Sequence, residues 1–204
     1  GLDPCAAMQV RVELEDGQEK EVVFILGAAR GDEEARQLSH RFHDAVSAQQ
    51  ALEGVWNYWS RSLGAVYFET PDPAVNFLAN GWLVYQTLAC RMWARTGFYQ
   101  SGGAFGFRDQ LQDAMAVVHA EPGLLREHLL RSAARQFREG DVQHWWHPPA
   151  GRGVRTHCSD DYLWLPMATC RYVTATGDTG VLDESAPFID GRAVNPEEDS
   201  YYDL

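Results

Sequence analysis

Two stretches of this 204-residue chain concentrate the side chains that can do chemistry. The first is FRDQLQD at residues 107–113, an arginine, two acids and two amides set in front of the apolar run AMAVVHA. The second, residues 139–166, reads EGDVQHWWHPPAGRGVRTHCSDDYLWLP. Trp, His, Arg, Asp and Gln together suit a sugar site, because aromatic faces stack on the C–H faces of pyranose rings and planar polar groups bridge adjacent hydroxyls. Breaking a glycosidic bond further needs a carboxylic acid to protonate the leaving oxygen.

The spacing says how these groups would be presented. Leu111, Ala114, Met115 and Val118 follow the i, i+3, i+4, i+7 rule and predict a helix with one buried face. On it Asp109 and Asp113, and separately Arg108 and Gln112, lie one turn apart. Asp160 and Asp161 are neighbours, so on a helix they point into different surroundings; one can be held protonated while the other stays ionised. The glycine-rich approach QSGGAFGF supplies open backbone and two phenylalanines that can line a pocket.

Plainer readings compete. Asp109 can be a helix cap with Asp113 exposed, and Ser159-Asp160-Asp161 is a respectable helix start. His144, His147, His157 and Cys158 contain an HxxH that can chelate zinc, but the intervening tryptophans and Pro148-Pro149 fit a sugar-stacking loop better, so no metal is expected. No GxSxG, phosphate-binding loop or dinucleotide fingerprint is present, which leaves serine hydrolases, nucleotidases and Rossmann enzymes unsupported.

Composition narrows the class. With 45% hydrophobic residues the chain can bury a core, so disorder is not expected. A net charge of −12 argues against nucleic acid, whose binders carry a basic face. No run approaches the ~18 apolar residues of a membrane span, and GLDPCAAMQV lacks the parts of a signal peptide. Cys5, Cys90, Cys158 and Cys170 show no CxxC spacing, which suits a reducing compartment. The lack of an initiator methionine suggests a piece of something longer.

The elements that must hold the two stretches follow from periodicity. Alternation from Met8 to Leu14, an Asp16-Gly17 turn and then VVFIL predict a β-hairpin, the end of a β-domain. Acids at 32–34 open a helical stretch reaching Leu63. Beyond Pro73 helices are predicted over 73–97, 108–120, 123–139, 159–176 and 178–188. The first is apolar over a wide arc, as an inner helix would be; 123–139 has the polar face of an outer one. Alternating inner and outer helices suggest a toroidal α/α barrel.

GLDPCAAMQV, FILGAAR, YQSGGAFGFRDQLQD, the 139–166 stretch and YVTATGD with VLDE resemble glycoside hydrolase family 94, most of all the phosphorylase-like domain of cyclic β-1,2-glucan synthases. The resemblance covers essentially the whole chain. It implies a mainly α fold in three parts: the last hairpin of a β-sandwich (1–30), a helical linker (31–69) and the first part of an (α/α)6 barrel (70–204). It implies inverting phosphorolysis of β-glucosides to α-glucose 1-phosphate, with Asp160 as general acid and Asp161 as its competitor. Arg108, Asp113 and Asp109 would grip the sugar, with Gln143, Trp145 and Trp146 as further contacts. No cofactor is implied; inorganic phosphate is the co-substrate, and the residues that hold it would lie outside this chain. Nor would Mg²⁺ or a nucleotide sugar have a site here. The remaining partners would be β-glucan and the rest of a larger synthase, and a homodimer is an expected assembly. The parent would be an inner-membrane protein with this part cytoplasmic, and the 204 residues alone would be inactive. A non-catalytic glucan-binding domain and an inverting hydrolase remain the alternatives.

Overall fold

The computed structural model of the protein describes residues 5–96 and 102–203; residues 1–4, 97–101 and 204, including the starts of GLDPCAAMQV and QSGGAFGF and the last residue of the 73–97 helix, lie outside the described residues. The chain forms two compact units, Gly1–Tyr58 and Trp59–Leu204.

In the first unit the Asp16-Gly17 turn forms, with Gln18 N–H donating to the Glu15 carbonyl at 3.0 Å and Gly17 at φ +76°. The expected strands on either side do not pair. Met8 is 77% exposed and Leu26 fully exposed, and an isolated two-stranded ribbon with no sheet to cover its apolar face is marginal in water. Helices α1 (Asp32–Arg41) and α2 (Ala45–Leu63) follow as predicted, α1 opening on three acids and α2 capped by Asp44, whose Oδ1 accepts from Ser47 N at 2.7 Å.

The second unit begins with a helical run capped by Asp72 and started by Pro73. It alternates α-helical and wider π turns: α3 (Pro73–Phe77), a π segment at Leu78–Trp82, α4 (Leu83–Gln86) and a π segment at Thr87–Trp93. The expectation of an inner helix buried on several sides fails over its first turns. Val75, Leu78, Trp82, Leu83 and Tyr85 are exposed, and only Leu88 and Met92, where the run reaches the next helix, are buried.

That next helix is α5 (Phe107–Ala116), followed by α6 (Pro122–Ala133) and α7 (Asp161–Thr176). Leu111, Ala114 and Val118 meet Leu125 and Leu129 of α6 and Ala168 and Tyr172 of α7 in one core. The helix predicted over 123–139 stops at Ala133, because Gln136 and Phe137 bridge to Val142 and Ile189 instead. Gly177, at φ +74°, closes α7 with its N–H on the Val173 carbonyl, a backbone conformation that glycine adopts without strain. The segment predicted helical over 178–188 contains only a 3₁₀ turn, Thr179–Asp183.

A four-stranded antiparallel sheet was not anticipated. Its strands are β1 (Phe105–Gly106), β2 (Gln143–His147), β3 (Arg152–Thr156) and β4 (Ser200–Asp203), in that spatial order. What reads as an aromatic loop is the β2–β3 hairpin, with Trp145 opposite Val154 and Trp146 opposite Gly153. Gly153 is obligatory, since a Cβ there would lie 2.0 Å from the Trp145 carbonyl oxygen.

Candidate functional site

The site forms where the first turn of α5 meets the first turn of α7. Arg108 Nη1 donates to Asp160 Oδ2 at 2.8 Å, and its Nε lies 3.7 Å from Asp109 Oδ1. None of these acids caps a helix: the N-cap positions, Gly106 before α5 and Asp160 before α7, make no side-chain cap hydrogen bond. Residues 52 apart in sequence thus share one half-buried ion pair.

Asp160 receives two more donors, Cys158 Sγ at 3.0 Å and Trp164 Nε1 at 3.2 Å. Those from Cys158, Arg108 and Trp164, in that order, hold its carboxyl far below the usual carboxylate range. A general acid needs the opposite shift, so these three donors favour the ionised form of Asp160 in this chain.

Asp161 differs as adjacent positions on a helix must. It is 3% exposed, its Oδ2 lies 2.6 Å from His144 Nδ1, and its Oδ1 has no partner. The hydrogen bond to Asp161 raises the His144 pKa against the opposing effect of burial. Cys158, beside both acids, has its thiol pushed up to about 11, first by the hydrogen bond to Asp160 and then by burial.

Asp113 has another partner. Arg91 Nε donates to its Oδ2 at 2.8 Å, while burial raises its pKa against the pull of Arg91 and the nearby charge of Asp109 adds to the rise. Asp109 therefore stands between two arginine-bearing groups, Arg108–Asp160 on one side and Arg91–Asp113 on the other. Arg91 and Trp164 were missed from sequence. A lone arginine in the apolar 87–93 segment, and a tryptophan one turn beyond Asp160, were the available signals.

The strand geometry of β2 divides the remaining candidates. Trp146 is 1% exposed and stacks on Phe105 at 5.4 Å; Gln143, 3% exposed, holds the Gly151 carbonyl at 2.8 Å. Both are turned into the protein and present no surface to a ligand, because the register shift between Gln143 and Trp145 breaks the alternation of β2 and brings two residues three apart to buried positions. Phe107, expected to line a pocket, is likewise wholly buried in the core. Trp145 is only partly buried, with His147 edge-on at 5.3 Å and Tyr202 at 5.7 Å.

The four residues weighed for zinc separate in the same way. His147 packs on Trp145, and His157 Nε2 lies 3.4 Å from the Asn195 carbonyl. His144 and Cys158 stay close to one another, and Asp161 joins them.

Comparison with known proteins gives this geometry a context. Residues 58–202 match the glycosyl hydrolase 94 superfamily catalytic domain, and residues 1–45 the glycosyl hydrolase 94 supersandwich domain. The chain is 46% identical over 201 residues to the cyclic beta-(1,2)-glucan synthase NdvB of Rhizobium meliloti (strain 1021), a match covering 98% of this chain and 7% of that protein. It is 27% identical over 215 residues to N,N'-diacetylchitobiose phosphorylase of Vibrio proteolyticus, covering 92% and 27% respectively. It is 29% identical over 194 residues to solabiose phosphorylase of Paenibacillus borealis, covering 94% and 24%. The chain thus spans a small part of each relative's length.

Proposed function

Because this chain belongs to the glycosyl hydrolase 94 family, we propose that it supplies the acid-bearing part of an (α/α)6 barrel performing inverting phosphorolysis of β-glucosides. The observation that carries this reading is the Arg108–Asp160 contact, which joins the two motif-bearing helix starts with Asp109 beside them. Similarity to the glucan synthase favours β-1,2-glucan as substrate and a membrane-bound parent. Among the described residues no helix is long and apolar enough to cross a membrane, so an anchor would belong to other parts of the parent.

In the proposed reaction an oxygen of inorganic phosphate attacks the anomeric carbon from the face opposite the glycosidic bond. That bond breaks, its electrons go to the leaving oxygen, and Asp160 supplies the proton that this oxygen takes up. The product is α-glucose 1-phosphate. No carboxylate base is required, since phosphate arrives as its own nucleophile and an adjacent carboxylate would repel it.

The ionised resting state of Asp160 fits this scheme if the sugar competes for Arg108. A glucosyl hydroxyl that takes the Arg108 donors draws off one of the three groups that hold the Asp160 carboxyl ionised and lets its pKa rise. Asp109, Asp113 and the partly exposed ring of Trp145 are the remaining sugar contacts. Asp161, buried and half-unpartnered, is the competing acid.

The test uses the longer catalytic domain of the parent with linear β-1,2-glucan, with and without phosphate, following glucose 1-phosphate. Phosphate-dependent release, lost in Asp160→Asn and kept in Asp161→Asn, is the expected result. Loss in Asp161→Asn alone moves the acid to the competitor. Free sugar without phosphate makes the barrel a hydrolase; no release of either product leaves a glucan-binding domain.

A further inference from the structure

We propose that His144, Cys158 and Asp161 form a three-ligand site for a thiophilic divalent cation of the zinc type, with a fourth position open. A ring nitrogen of His144, the Sγ of Cys158 and a carboxylate oxygen of Asp161 all lie within 4.8 Å of one another. They come from three elements: β2, the segment after β3 and the first turn of α7. The site goes beyond the phosphorylase reading and stands whether or not that reading holds.

A second observation points the same way. Asp161 is almost fully buried, yet its Oδ1 has no hydrogen-bond partner. A buried carboxylate oxygen left without a partner is costly, and His144 satisfies only the other oxygen. A cation held between the three groups would supply the missing partner.

The donor set selects the ion. One nitrogen, one sulfur and one oxygen suit zinc, whereas magnesium and calcium demand all-oxygen shells. Tetrahedral zinc, with bonds of about 2.0–2.3 Å, sets its ligands roughly 3.5 Å apart, so closure needs movements of about 1 Å. Cys158 loses its thiol proton to solvent as the sulfur–metal bond forms. Thiolate, carboxylate and neutral imidazole then balance the charge of the dication. Thr156 Oγ1, which accepts from Cys158 N at 3.1 Å, orients the loop behind the sulfur.

Occupancy has a consequence for the neighbouring acid. The Cys158 thiol is one of three donors to Asp160, and a metal-bound thiolate has no proton to donate. The cation would therefore place a metal centre beside Arg108–Asp160 and change how that carboxylate is held.

The test is a titration of the reduced chain with cobalt(II), a spectroscopic stand-in for zinc. The expected result is one equivalent bound, with a near-ultraviolet thiolate-to-cobalt charge-transfer band that zinc abolishes and excess magnesium does not. Cys158→Ser should remove the band, His144→Ala and Asp161→Asn should weaken binding by about tenfold or more, and Cys170→Ser should change nothing. Circular dichroism of Cys158→Ser, a near-isosteric change, checks that the fold is retained. No band at tenfold excess cobalt overturns the proposal, and so does a band that survives Cys158→Ser or disappears in Cys170→Ser. None of these readouts needs catalytic activity, so failure here is distinct from failure of the phosphorylase reading.

Discussion

Arginine meets carboxylate in two contrasting places within the larger unit. Arg155 is 1% exposed and makes five hydrogen bonds: two to Asp141, one to Glu139 and one each to the Gly191 and Arg192 carbonyls. Its guanidinium also lies 3.7 Å over the Phe137 ring. Arg108 is 37% exposed at its side chain and has one short contact, to Asp160. A buried and saturated guanidinium cannot release a partner without stranding a charge away from water. A half-exposed one with a single short contact can exchange it for a sugar hydroxyl. Burial and saturation, rather than charge, separate a strut from a site.

The sharpest way to break this contrast is to remove both arginines. Arg155→Met leaves Asp141 uncompensated and should cost about 3–5 kcal/mol of stability, whereas Arg108→Met should cost about 1 kcal/mol or less. Urea unfolding of the two variants measures the difference, and equal losses would erase the distinction. Activity should rank them the other way. In the longer parent domain Arg108→Lys should lower kcat/KM on the order of 10²-fold with the melting temperature unchanged, because a lysine cannot reproduce the planar fork.

pH sharpens the comparison further, since the site contains a histidine and the hydrogen bonds of the strut involve none. His144 has a raised pKa in the folded chain, chiefly through Asp161. Its contribution to stability is therefore fully present below the unfolded value of about 6.5 and is lost as pH rises through the higher folded value. The unfolding midpoint of the chain should fall across that window, and His144→Gln should flatten the fall. Core His128 works in the opposite sense. Burial lowers its pKa to about 3, so the folded chain keeps it neutral while the unfolded chain protonates it, and stability declines as pH falls below about 6.5. His128→Gln should reduce the loss between pH 6 and 4.

The smallest effect expected is kinetic. With its thiol at about 11, Cys158 should alkylate more slowly at pH 8 than exposed Cys90 and Cys170. Asp160→Asn removes the carboxylate that holds the thiol proton and should narrow that gap, as peptide mapping after iodoacetamide would show.

Much of the site's content was legible in the sequence, and less of its arrangement. FRDQLQD was readable as a polar helix start because helical periodicity is local, and the divergence of Asp160 from Asp161 follows from a rotation of about 100° per residue. The burial of Gln143 and Trp146 was not legible, because it depends on the pairing of β2 with distant β1 and on the register shift against β3. The donors that gather on Asp160 were not foreseen either. Its donors include Arg108, 52 residues earlier, which no local pattern reveals.

The sequence by itself determined that α5, α6 and α7 exist, though not where α6 ends, that one helix opens on an arginine and two acids, and that the chain carries the family's motifs. Those properties depend on neighbours a few residues apart and on residue identity. Only the tertiary structure decided that Arg108 faces Asp160, that Arg91 takes Asp113, that Trp145 stays partly exposed while Trp146 is buried, and that His144, Cys158 and Asp161 converge. Each depends on which distant strands and helices pack together, and a side chain's partners, burial and charge state are set by that packing.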